Sequence, residues 1–205
     1  MRILRSFCLL ALAALLSRPA PGQGIAALDF EFYPGPDGQL GTPDDIPVPP
    51  CPGGLCGALS DEYASVGLTF TSGTLFQGAF FPGTPSTNHY LSSSPLDVVA
   101  DQPARRAAID SYSAWSVVLW LLDAQDQVLA STTLVNPSPG NLYLGTLSLA
   151  SSTPWSRVTV RPEGCSPSDT CGQIVNLDNF TVAFVTVFAD GVEDGTTDAW
   201  SLAVP

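Results

Sequence analysis

Leu28, Phe30 and Phe32 alternate with Asp29 and Glu31. A period of two marks a half-buried strand, and it predicts a first strand with an apolar inner face and two carboxylates on the other side. A proline-rich stretch without apolar period, residues 33–58, reads as a long loop. Short strands are then expected at 68–71 and 74–76, around a Ser-Gly turn, and at 96–100, with residues 78–95 read as loop. Residues 104–136 contain neither Gly nor Pro, and there helix competes with strand. Val117 to Leu122 is apolar on both strand faces, a pattern that a buried helix shares. Two features favour strands: Asp123-Ala124-Gln125-Asp126 makes a hairpin turn, and residues 128–135 are β-branched and Thr-rich. Residues 142–149, 155–160 and 174–188 complete about nine strands.

Composition narrows the class. Gly (18) and Pro (19) are too frequent in 205 residues for a helical bundle, and 45% apolar content is too high for a disordered chain. Many short strands with turn signals between them predict an all-β fold, a two-sheet antiparallel β-sandwich of the jelly-roll kind with long loops.

The N-terminal residues read as an export signal. Arg2 and Arg5 precede an apolar run, 7–16, and Ala20-Pro21-Gly22 offers small residues for cleavage. That run is too short to span a bilayer as a helix, and no later stretch reaches spanning length. The expected organisation is therefore a signal peptide at 1–22, a β-sandwich domain at 25–188 and an acidic tail at 189–205, in a secreted or cell-surface protein. Removing the signal removes Arg2, Arg5 and Arg18, leaving four arginines and no lysine against 19 acidic residues. Such a surface repels phosphate backbones and anionic lipid, which excludes nucleic acid and the membrane face as natural partners.

Export also decides how the cysteines are read. Cys51 and Cys56 form one close pair, Cys165 and Cys171 another, and an oxidising compartment favours two local disulfides that staple loops. A four-thiolate zinc site is the alternative, disfavoured by the spacings and by export.

Enzyme motifs are missing: there is no Gly-x-Ser-x-Gly, no His-Glu-x-x-His and no phosphate-cradling glycine loop. His89 is the only histidine and reads as an inert loop residue. A two-carboxylate glycosidase site would need only a spatial pair, which a sequence hides. For binding, sugar rings stack on flat aromatic surfaces while their hydroxyls meet Asp and Asn. Tyr90 and Trp115 are the candidate platforms, whereas Trp120, flanked by apolar residues, reads as core. The leading expectation is a non-catalytic protein that binds an extracellular glycan or surface polymer. A structural surface protein without a small ligand comes second and an exported hydrolase third.

Four segments, in order, carry a resemblance: Leu28-Asp29-Phe30-Glu31, the run from Leu59 to Phe70, the hairpin Leu122 to Leu129, and Asn176-Leu177-Asp178-Asn179-Phe180. Together they resemble secreted bacterial jelly-roll domains of the kind found with C-terminal sorting signals such as the PEP-CTERM class. These are similar in turn to calcium-bearing carbohydrate-binding modules. One departure is Asp126, where the group carries Gly; Asp tolerates the left-handed turn. The resemblance implies a structural calcium held by Glu31 (or Asp29) and Asp178 on adjacent edge strands. Gly35 to Asp45 resembles the Asp/Gly-rich loops of exported proteins and makes Asp37, Asp44 and Asp45 further calcium candidates. The tail from Phe188 to Trp200 resembles a recurrent Phe-Ala-Asp-Gly-Phe-Glu tag, with Val192 in place of the second Phe.

Overall fold

A computed structural model describes residues 24–78, 89–169, 171 and 173–185. The proposed signal peptide and the acidic tail lie outside them. Ten strands are described: β1 (Ile25–Leu28), β2 (Phe32–Tyr33), β3 (Ile46–Pro47), β4 (Leu55–Ala58), β5 (Leu68–Gln77), β6 (His89–Ser113), β7 (Val117–Leu122), β8 (Val128–Leu134), β9 (Tyr143–Pro162) and β10 (Val175–Phe184). Two single 3-10 turns, Pro52–Gly54 and Ala64–Val66, are the helical elements among the described residues, and no helix is long and apolar enough to cross a membrane.

The fold is all-β, as the alternation and the breakers predict, but two strands are far longer than expected. β6 runs for 25 residues and β9 for 20, against a usual five or six or so. Each passes through both layers of a sandwich. The first half of β6 pairs with β5 and, at Leu96 to Val99, with Arg157 to Val160 of β9. Its second half pairs with Tyr143 to Ala150 of β9 and with β10, whose first residues, Val175 to Leu177, also pair with Leu91 to Ser93 of the first half. Between the halves the β6–β9 register breaks, from Val99 to Arg106. Pro103 on β6 and Pro154 on β9 sit at this crease, where a residue without an N–H costs the ladder nothing. One layer is thus β4, β5, early β6, late β9, β7 and β8; the other is β1, β10, late β6 and early β9. As β10 advances from Asn176 to Phe184, its β6 partners recede from Tyr112 to Ala104, so neighbouring strands run in opposite directions. Strands that change sheets at a bend or bulge are the usual corner device of such sandwiches.

A single cluster of buried residues fills the space between the layers. Its aromatic spine links Phe30, Tyr63, Phe70 and Phe180, with ring centroids 5.7–6.3 Å apart. Trp155 is buried in the same core, while Trp120, expected there, is only half-buried on β7. The 123–126 hairpin forms as expected, with Asp126 in the left-handed region at φ 61°. Residues 89–95, read as loop, belong to β6, and 89–92 pair with Thr74 to Gln77 of β5.

The first strand departs most from its pattern. β1 ends at Leu28, and Phe30 takes a left-handed φ of 60°, a costly conformation for a bulky side chain. Burying its ring edge-on against Tyr63 and Phe70 offsets that cost. The turn is tied down by Tyr63, whose hydroxyl donates to the Phe32 carbonyl at 3.1 Å. Burial pushes the Tyr63 phenol well above its usual pKa. Alternation is lost as a result: Phe32 leaves the core and is 40% exposed, and Asp29 and Glu31 do not share a face partnered alike.

Candidate functional site

The kink at Phe30 opens a cleft on the outer edge of the β1–β10 pair. It has a volume of about 540 Å³ and is walled by β1, β10 and the 40–45 part of the long loop. Asp29, Phe32, Thr42, Asp45, Asn179 and Thr181 line it. A second depression of about 370 Å³ continues along β1 and shares Ala27, Leu40 and Gly41 with the first.

Local chemistry holds the loop wall in place. The Gly41 and Thr42 N–H groups donate to Asp45 Oδ2 at 2.7 and 3.2 Å. Thr42 Oγ1 donates to Asp44 Oδ1 at 2.6 Å, and the Asp37 N–H donates to Asp44 Oδ2 at 3.1 Å. The Thr42 hydroxyl, and after it the Asp37 N–H, keep the Asp44 carboxyl below its usual pKa. Gly35 lies so close to the Asp44 backbone that a Cβ would stand 2.2 Å from its carbonyl oxygen, so this closure requires glycine.

On the opposite wall Asn179 sits at φ 50° in the bulge where β10 loses register with β6. Its N–H donates to Asp178 Oδ1 at 2.8 Å, and its amide donates to Asp110 Oδ2 at 2.9 Å. Thr146 Oγ1 donates to the other Asp110 oxygen at 2.5 Å. Asp178 itself is buried and lies outside the cleft.

The residues that the resemblance puts around a calcium each have protein partners. Glu31 turns toward the start of β6, where Oε1 accepts the His89 N–H at 2.9 Å and Oε2 pairs with His89 Nδ1 at 2.8 Å. An ionised carboxylate only accepts, so Nδ1 carries the proton. His89 is buried, 5% exposed, and is no loose loop residue. Asp178 serves the bulge, while Asp37, Asp44 and Asp45 accept from their own loop. Among the described residues no three carboxylates bring an oxygen each within 4.8 Å of one another; the group that meets this spacing is Cys51, Cys56 and His89. Both expected disulfides are formed, Cys51–Cys56 and Cys165–Cys171.

Of the predicted platforms, Tyr90 is half-buried and stacked on Phe76 at 5.9 Å, and Trp115 is 46% exposed on the β6–β7 turn. Neither lines the cleft, whose aromatic is Phe32. Period-two reading assigned Phe32 to the core, and only the left-handed residue two positions earlier reverses that assignment.

No protein-family model matches the chain, and no curated protein does. Among solved structures it is similar to an arabinose-bound GH51 α-L-arabinofuranosidase (12% identity, TM-score 0.38), over 62% of this chain but only 24% of that one. The cleaved adhesin domain K2 of Lys-gingipain matches at 10% identity and TM-score 0.38, over 58% of this chain and 89% of its own. A family 29 carbohydrate-binding module matches at 10% identity and TM-score 0.33, over 57% and 76%. At these identities, what those proteins bind or act on describes those proteins only.

Proposed function

We propose that this is an extracellular, non-catalytic β-sandwich protein whose edge cleft binds a glycan. The observation that carries the reading is the composition of the cleft: an exposed ring, Phe32, beside two carboxylates, Asp29 and Asp45, and the positioned Asn179. A sugar presents an apolar C–H face and a rim of hydroxyls, which suits a flat ring flanked by oxygen acceptors and an amide. At about 540 Å³ the cleft falls within the usual range of roughly 300–1,000 Å³ for small-ligand sites. The neighbouring depression along β1 offers room for a second sugar unit. Two small disulfides support an oxidising, extracellular setting.

Calcium is a separable part of the proposal. An ion would draw on Asp29 and Asp45 at the cleft mouth and complete six to eight oxygens with carbonyls and water.

A glycan array probed with the purified chain, with and without a chelator, tests both parts. Binding that falls at least tenfold in Phe32→Ala and is unchanged in Trp115→Ala is the expected result. No binding to any glycan, or equal binding by Phe32→Ala, overturns the cleft. An unchanged melting temperature and unchanged binding after chelation remove the calcium.

A further inference from the structure

The group formed by Cys51, Cys56 and His89 is unrelated to the cleft and has the make-up of a metal site that the disulfide keeps closed. A ring nitrogen of His89 and the two sulfurs all lie within 4.8 Å of one another. Glu31 holds Nδ1, so the coordinating nitrogen would be Nε2, and a carboxylate on the far side of a ligating imidazole is the usual way to fix its tautomer and raise its basicity. The cysteines are partly exposed and the histidine is buried, so the site has an access side and an ordered back. Cys51-Pro-Gly-Gly-Leu-Cys56 is a four-residue spacing, wider than the usual zinc knuckle but still inside the two-to-four-residue range of paired zinc cysteines. Two thiolates on one zinc stand about 3.8 Å apart, given Zn–S bonds of about 2.3 Å.

We propose that the reduced Cys51–Cys56 pair and His89 form a site for zinc or a similar borderline-soft divalent cation, with Glu31 as a positioning residue. A dithiol or a phosphine supplies the two electrons and the disulfide takes up two protons to give two thiols. Binding the cation then releases both thiol protons, leaving two thiolates, one neutral imidazole and one position for water. Disulfide and metal are mutually exclusive, so oxidation of the pair expels the ion.

Cobalt(II) titration of the full chain reads this directly, because tetrahedral thiolate cobalt has strong visible bands and a sulfur-to-metal charge-transfer band. The oxidised chain is expected to show none of these. After phosphine reduction one cobalt per chain should bind and be displaced by zinc. His89→Gln retains an N–H for Glu31 but removes the metal-binding nitrogen, and should weaken binding at least tenfold. Glu31→Gln should weaken it by about tenfold, the low end of outer-shell effects. The Cys165→Ser/Cys171→Ser double variant should bind like the parent. Circular dichroism before and after reduction, and of each variant, checks the fold, and His89→Gln carries the test if the Cys51→Ser/Cys56→Ser chain fails to fold. The proposal is overturned by no stoichiometric binding in a folded reduced chain, by unchanged affinity in His89→Gln, by dependence on Cys165 and Cys171, or by binding only to a chain unfolded by reduction.

Discussion

The two cysteine loops look alike as sequence, each a Pro-containing loop closed across five or six positions, yet they stand on different polar foundations. Beside Cys51–Cys56 lies the His89 imidazole, held by the Glu31 carboxylate. Under Cys165–Cys171 lies Arg161, 2% exposed, which donates to the carbonyls of Leu96, Val160, Pro167 and Asp169 and to both oxygens of Asp97 at 3.0 and 3.1 Å. Burial lowers the guanidinium's pKa and the Asp97 carboxylate opposes it. The fork of N–H groups ties the loop to both β6 and β9, so this disulfide adds to a loop already anchored. The first loop has the Cys51 N–H bonded to Gln77 Oε1 at 2.7 Å and a chemically versatile neighbour. Similar covalent closures therefore stand on different polar surroundings, an anchored guanidinium under one and an imidazole–carboxylate pair beside the other.

The largest effect should come from Arg161→Ala. It leaves the half-buried Asp97 with only the more distant Arg157, at 4.0 Å, and several carbonyls without donors, a loss of about 3 kcal/mol, at the low end for removing one partner of a buried ion pair. Urea unfolding with unchanged slope would read it, and a cost below about 1 kcal/mol would break the contrast. Next, Cys165→Ser/Cys171→Ser and Cys51→Ser/Cys56→Ser should each cost about 2 kcal/mol by the chain-entropy relation for such short loops. The sharper readout is local: amide hydrogen exchange after reduction should rise more in 51–56 than in 163–169, because Arg161 still holds the second loop. Equal rises would show that its anchorage is only covalent.

The smallest effect is electrostatic. The Ser166 N–H, bonded at 2.8 Å, and the Ser166 hydroxyl keep Asp169 below its ordinary pKa of 3.8, as Thr42 does for Asp44. A depressed carboxyl contributes stability that is complete above the unfolded value and is lost as pH falls through the folded one. Carboxyl chemical shifts of Asp169 and Asp44 should therefore titrate with midpoints under 3.8, and Asp169→Asn should abolish the acid loosening of 163–169 alone. A midpoint at or above 3.8 would remove the capping contact.

Much of the architecture was legible in the sequence because it rests on local rules. Alternation places the strands, the Asp126 turn forms with the backbone that Asp tolerates, and neighbouring cysteines find each other. The crease is not legible: 96–100 reads as a short strand and 104–136 as a separate stretch, but 89–113 is one strand bent at Pro103. The cleft is not legible either: Asp29 and Asp45 stand out as metal ligands, but alternation puts Phe32 in the core and nothing singles out Asn179. A left-handed phenylalanine has no sequence signal, since its cost is met by Tyr63 and Phe70, more than thirty positions away.

By itself the sequence determined the class of the molecule: period-two alternation can bury one face only in a sheet, frequent Gly and Pro bar long helices, and cysteines a few residues apart have little choice of partner. The tertiary structure alone decided which residues face one another. Glu31 meets His89 across 58 positions, and Arg161 meets Asp97 across 64. Such pairings follow from where bent strands cross and from the demand that buried polar groups find partners, and neither is written in any local stretch of the chain.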